Sequence, residues 1–149
     1  MSLKLAMAAA LAVTFASTVF AADGWITKKS NHDVATTADN LVAAAEGAGA
    51  TVFARVDHQK GATSIGSEIA GATLVIFGNP KIGTPIIAEN PEAGLDLPIR
   101  VLIWDDGGQT MIGYLSPDEL ADRYGLSESA GALKTMGGAA GKLTDKAAN

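Results

Sequence analysis

The chain has 149 residues, two histidines, no cysteine and a formal net charge of −5. An acidic chain repels polyphosphate, which argues against nonspecific nucleic-acid binding. The absence of cysteine excludes disulfides, thiol redox chemistry, iron–sulfur clusters and zinc–thiolate sites.

The N-terminus has the pattern of a secretory signal peptide. Lys4 supplies a positive charge, the residues up to Phe20 are then uncharged and mostly apolar, and small residues follow. The apolar run is about sixteen residues, shorter than the ~20 that a membrane-spanning helix needs. We expect cleavage after Ala21 or, as the second choice, after Ala22. The mature chain would then be periplasmic or secreted, without stable membrane insertion. A retained N-terminal anchor helix is the alternative.

Removal of residues 1–21 leaves residues 22–149, which is enough for a single domain with its own hydrophobic core. The first predicted strand spans residues 24–29. Asn31 or Asp33 then caps a helix that Gly47 and Gly49 end. The buried stripe of this helix follows i, i+3, i+4 spacing and comprises Val34, Thr37, Ala38, Leu41, Val42 and Ala45.

The next segment alternates between strand and helix patterns. A second strand is predicted at residues 51–56 and a short helix at residues 59–69. Residues 73–77 form a continuous apolar run, which predicts a central strand covered on both faces or packed against a helix. The pairs Asn79-Pro80 and Thr84-Pro85 each suit the start of a helical turn.

The last part of the chain contains a hairpin and two helices. Strands at residues 97–104 and 110–115 flank Asp105-Asp-Gly-Gly108, whose glycines supply the positive φ angles of a tight turn. Ser116 caps a helix that starts with proline and two acids. A weak C-terminal helix with a frayed end is expected after Gly125, because four glycines interrupt its apolar stripe. They are Gly131, Gly137, Gly138 and Gly141.

The predicted order is a strand, a helix, four strands with a short helical excursion, and then helices. This order indicates an α+β fold in which an antiparallel sheet carries helices on one face.

Several landmarks occur together in a specific order and spacing. They are Asp57-His58 after a strand, the turn Phe77-Gly-Asn-Pro-Lys81 with Gly83-Thr84, Leu95-Asp-Leu-Pro98 before a strand, and Tyr114 and Leu126. With these landmarks the chain resembles the DUF302 family over about residues 25–143. The resemblance implies a β-α-β4-α type of fold and a tendency to form homodimers. It implies no established activity and supplies no catalytic residue.

His58 is the candidate for chemistry, because a loop-borne imidazole can ligate a metal or haem, or shuttle protons. As a general base it would be oriented by Asp57 or Glu68. A metal would need carboxylate ligands as well, from Asp57, Glu68 or Asp96. The structural alternative is that His58 caps the following helix or bonds a backbone carbonyl.

The turn from Asn79 to Thr84 is the candidate for anion binding. Its backbone amides and the Lys81 ammonium group can point at an anion, as helix N-termini do. The structural alternative is a rigid turn that sets the angle between strand and helix.

Arg100 lies inside a predicted strand. If its side chain points inward it needs a buried partner, for which Asp96 or Glu92 is the natural candidate; if outward it is a solvated charge. Met111 and Met136 are either core residues or soft ligands for haem iron or copper. Any haem would be held noncovalently, because the chain has no cysteine.

These features predict an exported, noncatalytic protein that binds a small ligand, either haem or an anion, near His58 and the Asn79–Thr84 turn. The family resemblance implies that this protein is a homodimer. No residue is assigned a catalytic role in this reading. One alternative is an enzyme that uses His58 as a general base. The other is a structural envelope protein that contacts a protein partner through an exposed apolar surface.

Overall fold

A computed structural model of the chain describes residues 20–22 and 24–149. The predicted signal segment therefore lies outside the described residues, apart from its last two positions. Phe20 and Ala21 form a short strand with Ala22. The predicted cleavage site after Ala21 falls inside this strand.

The described strands form one antiparallel sheet in the order β1-β2-β6-β5-β4-β3. They are β1 (Phe20–Ala22), β2 (Trp25–Lys29), β3 (Thr51–Asp57), β4 (Ala72–Gly78), β5 (Ile99–Asp106) and β6 (Gln109–Leu115). β1 is a short edge strand that pairs with β2. The other five strands form the main part of the sheet. This arrangement confirms the predicted α+β class and its antiparallel sheet.

The described residues also contain five α-helices and one 3₁₀ turn. The helices are α1 (Val34–Gly47), α2 (His58–Ser64), α3 (Pro80–Glu89), α4 (Pro117–Tyr124) and α5 (Ala130–Ala148), and the 3₁₀ turn is Pro91–Leu95. α5 contacts α1, α3 and α4, and α1 contacts β3, β4 and β5, so these four helices form a single layer on the sheet. Of the described helices, none has the length and apolar character to cross a membrane.

The hydrophobic core lies between this helical layer and one face of the sheet. The strand residues that point into it are Val75, Phe77, Val101, Ile103, Ile112 and Tyr114. We call the opposite side of the sheet the open face; its apolar residues include Trp25, Val56, Leu74, Ile76, Leu102, Trp104 and Met111. β4 alternates between buried and half-buried residues, so it is covered by helices on one face and not on both.

Capping and turn signals located several element ends correctly. Asp33 caps α1, and its carboxylate accepts a backbone hydrogen bond from the first turn at 2.7 Å. The Ser116 hydroxyl accepts from the Glu119 N–H of α4 at 3.0 Å. Gly107 and Gly108 turn the β5–β6 hairpin with φ angles of 61° and 95°. Because each of these signals acts within a few residues, the sequence alone was enough to find them.

Three predictions about helices were wrong. α2 ends at Ser64 and not at Ile69, because Gly66 has a φ of 74° that a helix cannot continue through. The pair Thr84-Pro85 does not start a helix; Pro85 lies inside α3, which begins at Pro80. α5 is a continuous helix of 19 residues with Ala147 and Ala148 buried, so its end is not frayed.

Lys28 is a buried cation that joins the sheet to α5. The residue is 5% exposed, and its Nζ donates hydrogen bonds to Asp145 Oδ1 at 2.5 Å and to the Gly141 carbonyl at 3.3 Å. Tyr114 lies nearby on β6, where burial raises the pKa of its hydroxyl and the charge of Asp145 raises it further. These contacts fix the position of the C-terminal half of α5 on the sheet.

Candidate functional site

The structure separates the two halves of the predicted site. β3 and β4 pair antiparallel, with Thr51 opposite Gly78 and Asp57 opposite Thr73. Asn79 therefore follows β4 at one end of the sheet, and His58 follows β3 at the other end. At ~3.3 Å per residue, the strand length between them is ~20 Å. Within one chain, His58 and the Asn79 turn therefore do not form a single ligand site, contrary to the prediction that combined them.

His58 is the exposed first residue of α2. The carboxylate of Asp57 does not orient the imidazole; it caps α2 by accepting from the Lys60 N–H at 2.9 Å. Within residues 24–149 there is no group of three or more His, Asp or Glu side chains that could hold a metal ion. The metal role predicted for His58 is therefore not supported by a three-ligand group in this part of the chain.

Asn79 has the rigid structural role that the sequence offered as the alternative to anion binding. Its Oδ1 accepts from the Lys81 N–H at 3.0 Å, which caps α3. Its Nδ2 donates to the Gly49 carbonyl at 3.4 Å, so it also ties α3 to the connection between α1 and β3. Lys81 and Thr84 are exposed on α3.

Thr84 and Asn79 line a cavity of about 310 Å³. We call it the helix-side cavity; it lies at the Asn79 end of the sheet, enclosed by α3, α5 and the beginnings of β3 and β5. Its larger side chains are Phe53, Phe77, Ile82, Ile87, Met136 and Leu143. No charged side chain is among the described residues that line it. The cavity therefore suits an apolar ligand.

A second cavity of about 260 Å³ lies at the same end of the sheet. We call it the arginine-side cavity, because its wall combines Arg100 and Arg123 with Asp96. The rest of the lining is apolar and comprises Trp25, Leu74, Leu97, Ile99, Leu102, Leu115, Leu120 and Met136. This cavity is therefore amphipathic, whereas the helix-side cavity is not.

Asp96 is the centre of the polar wall. It accepts a hydrogen bond from the Tyr124 hydroxyl at 2.7 Å and one from Arg123 at 3.0 Å. The hydrogen bond to Asp96, with burial and the charge of Asp96, raises the pKa of Tyr124. Arg123 also donates to Glu119 at 3.0 Å. The hydrogen bond to Glu119, followed by the interaction with Asp96, raises the pKa of Arg123, which therefore stays charged.

Arg100 points to the open face, and half of its side chain is exposed. Its guanidinium lies 4.0 Å from Asp96, so the carboxylate predicted as its partner is the nearest acid but is beyond hydrogen-bond distance. Arg123 was missed by the sequence reasoning. Its spacing of four residues from Glu119 was visible, but its contact with Asp96 across 27 residues had no local signal.

Residues 26–143 match the family described as "Domain of unknown function DUF302". The chain belongs to the DUF302 family. A crystal structure of an uncharacterized conserved DUF302 protein from Bacillus stearothermophilus is similar, with a TM-score of 0.76 and 16% sequence identity. The similarity covers 85% of this chain and 99% of that one. At this identity the likeness shows the fold of the DUF302 chain.

Curated relatives of this DUF302 chain carry a different kind of name. A protein of Brucella suis biovar 1 named "Fluoride-specific ion channel FluC 1" is 41% identical over 127 residues, covering 84% of this chain and 50% of that protein. A protein of the same name in Brucella abortus biovar 1 is also 41% identical, with 47% of that protein covered. The chain thus spans about half the length of the curated relatives it matches.

Proposed function

We propose that this DUF302 chain is an exported, noncatalytic homodimer that binds a small apolar ligand in the helix-side cavity. The cavity itself carries the proposal. Its volume of about 310 Å³ lies at the lower end of the range for small-molecule sites, about 300–1,000 Å³. Its wall offers apolar carbon, one thioether and two neutral polar groups, so affinity would come from burial of apolar surface.

The geometry favours an apolar ligand over the haem or simple anion that the sequence suggested. His58 lies at the far end of the β3–β4 pair, so it cannot ligate a haem held in this cavity. The lining offers Met136 as a soft donor but no imidazole. The Lys81 amide is occupied by the cap of Asn79, which leaves fewer donors for an anion. His58 lines neither of the two cavities, which weakens its proposed role as a general base.

Replacement of Gly83 by phenylalanine tests the cavity directly. Gly83 lines it from α3, and a Cβ at this position would meet no heavy atom within 4 Å. We expect the neutral fluorescent probe N-phenyl-1-naphthylamine to bind the native chain and stabilise it by about 2.7 kcal/mol at a hundredfold excess over its dissociation constant. The aromatic ring of Gly83→Phe should weaken this binding at least tenfold, because it occupies the same space.

Gly138→Phe is the matched control for this substitution. Gly138 is also a helical glycine whose Cβ would meet no heavy atom within 4 Å, but it lies outside the lining of either cavity. This variant should bind the probe as the native chain does. Equal binding by all three proteins would place the probe elsewhere, and no binding by the native chain would remove the proposal.

The dimer is proposed to form through the open face. Trp25 is 43% exposed and Val56 is 39% exposed on this side of the sheet, where the helical layer gives no cover. A dimer would bury this apolar surface against the same surface of a second copy. Export is proposed from the charged, apolar and small-residue pattern of the first 21 residues.

Sedimentation velocity on the mature chain, with and without Val56→Glu, tests the dimer. We expect the native chain at twice the monomer mass and the variant as a monomer, because the glutamate would place a like charge from each copy in an apolar contact. Ile65→Glu is the control, since Ile65 is 82% exposed and follows α2 outside the sheet. A native chain that sediments as a monomer would contradict the dimer.

A monomer would favour the second candidate, a module that contacts a different protein through the open face. The Brucella relatives support it, because their DUF302-like sequence is part of chains about twice as long that are named fluoride-specific ion channels. In this reading the partner is a membrane transport protein, and the exposed apolar surface is its contact site.

A further inference from the structure

The two cavities share part of their walls. Leu97, Ile99 and Met136 line both of them, so the two cavities adjoin at these three residues. Met136 is unbranched and has three rotatable bonds, which lets it adapt to irregular spaces more easily than other core residues. Passage of a slender ligand from one cavity to the other would require these side chains to change rotamer.

The cavities differ in charge along this path. The helix-side cavity is lined by uncharged residues, whereas the arginine-side cavity ends at Arg100 and Arg123. Arg123 already donates to Asp96 and Glu119. Arg100 is within ion-pair distance of Asp96 but makes no hydrogen bond with it at 4.0 Å. Its planar guanidinium is thus positioned to donate two parallel hydrogen bonds to an incoming carboxylate.

We infer that the two cavities form one site for a monocarboxylate with an unbranched alkyl chain. The carboxylate pairs with Arg100, and the alkyl chain passes Met136 into the helix-side cavity. This inference rests on the proposed function, because it names the class of ligand that the helix-side cavity takes.

The charges favour a singly charged head group. Asp96 lies 4.0 Å from Arg100 and repels any anion bound there, so a second negative charge on the ligand would meet more repulsion. A carboxylate also matches the flat fork of an arginine in a bidentate pair. A neutral alcohol with the same chain would gain the apolar burial but not the ion pair. The comparison of acid and alcohol therefore isolates the role of Arg100.

Dodecanoate and 1-dodecanol are suitable probes, and Trp25 is a suitable reporter because it lines the arginine-side cavity. The chain has two tryptophans, so Trp104→Phe leaves Trp25 as the single fluorophore. In this background we expect dodecanoate to bind more tightly than dodecanol and to change the Trp25 emission. Arg100→Gln should weaken dodecanoate binding at least tenfold and leave dodecanol binding unchanged.

Arg55→Gln is the matched control. Arg55 is an arginine of similar exposure on β3 that pairs with Asp39 and lines neither cavity. It should leave the binding of both probes unchanged. Equal binding of dodecanoate by the native chain and Arg100→Gln would overturn the inference. If dodecanol still bound, and Gly83→Phe still blocked it, the apolar site of the proposed function would stand. If neither probe bound the native chain, both the carboxylate inference and the proposed apolar site would be refuted.

Discussion

Replacement of Gly137 by alanine is expected to destabilise the fold by about 1–3 kcal/mol. A Cβ at Gly137 would lie 2.5 Å from Cγ of Pro117, which is closer than carbon atoms can approach without movement. Gly137 is in the middle of α5, and Pro117 is the first residue of α4. Neither the proline ring nor the helix backbone can move away easily. The overlap therefore outweighs the ~1 kcal/mol that alanine gains over glycine in a helix.

Gly138→Ala is the neighbouring control, and it should change stability in the opposite direction. A Cβ at Gly138 would meet no heavy atom within 4 Å, so only the gain in helix propensity of up to ~1 kcal/mol remains. Urea unfolding of the two variants beside the native chain measures both effects. If Gly137→Ala were as stable as Gly138→Ala, the close approach of α4 and α5 would not constrain the fold.

The same glycine shows why the sequence underestimated α5. Helix propensity treats the four glycines of this segment alike, so the sequence predicted a weak helix. In the structure Gly137 permits the approach of Pro117, and the buried Ala140, Leu143 and Ala147 hold the helix on the core. Tertiary packing thus outweighs propensity here. A contact between α4 and α5 has no local signature, so it could not be predicted from the sequence.

The site was predictable in part. Short-range patterns predicted Asn79 as a structural cap. They also predicted Asp96 as an acid close to Arg100. The separation of His58 from Asn79 was not predicted, because the sequence indicated an antiparallel sheet but not which strands are neighbours; the pairing of β3 with β4 shows it. The helix-side cavity was not predictable, because its wall joins β3, α3, β5 and α5 through contacts far apart in the chain.

Glu89 makes a second long-range contact whose loss is expected to lower the stability of the fold. It is the last residue of α3, and its carboxylate accepts hydrogen bonds from the backbone N–H groups of Ser127, Glu128 and Ser129 at 2.7, 2.9 and 2.7 Å. The Ser129 hydroxyl donates to it as well, at 2.5 Å. Ser129 precedes α5 and makes no side-chain cap of its own. Glu89 therefore holds the segment before α5 from another helix and adds a negative charge near the N-terminus of α5.

These hydrogen bonds make the stability of the fold depend on pH. The Ser129 hydroxyl, followed by the backbone N–H groups of Glu128, Ser127 and Ser129, lowers the pKa of Glu89 from 4.5 to about 2. Because the folded-state pKa lies below the ordinary value, the charged carboxylate stabilises the fold above pH 4.5, and this contribution is lost as the pH falls from 4.5 towards about 2.

Glu89→Gln is expected to lower the free energy of unfolding at about pH 7, where the native carboxylate is fully charged. The amide keeps the shape of the side chain but has only one acceptor oxygen and no charge for three N–H groups and a hydroxyl. The difference between the native chain and the variant should shrink as the pH falls through 4.5 towards about 2, since the native Glu89 becomes neutral there. Urea unfolding at several pH values across this range measures the difference.

Glu92→Gln is the control for the loss of one acid, since Glu92 is exposed in the 3₁₀ turn three residues after Glu89. Its effect should be small at each pH, because an exposed carboxylate contributes little. The comparison separates the hydrogen bonds of Glu89 from the general effect of net charge, which both variants change equally. A Glu89→Gln deficit that stayed constant down to about pH 2 would show that the charge of Glu89 is not the source of its contribution to stability.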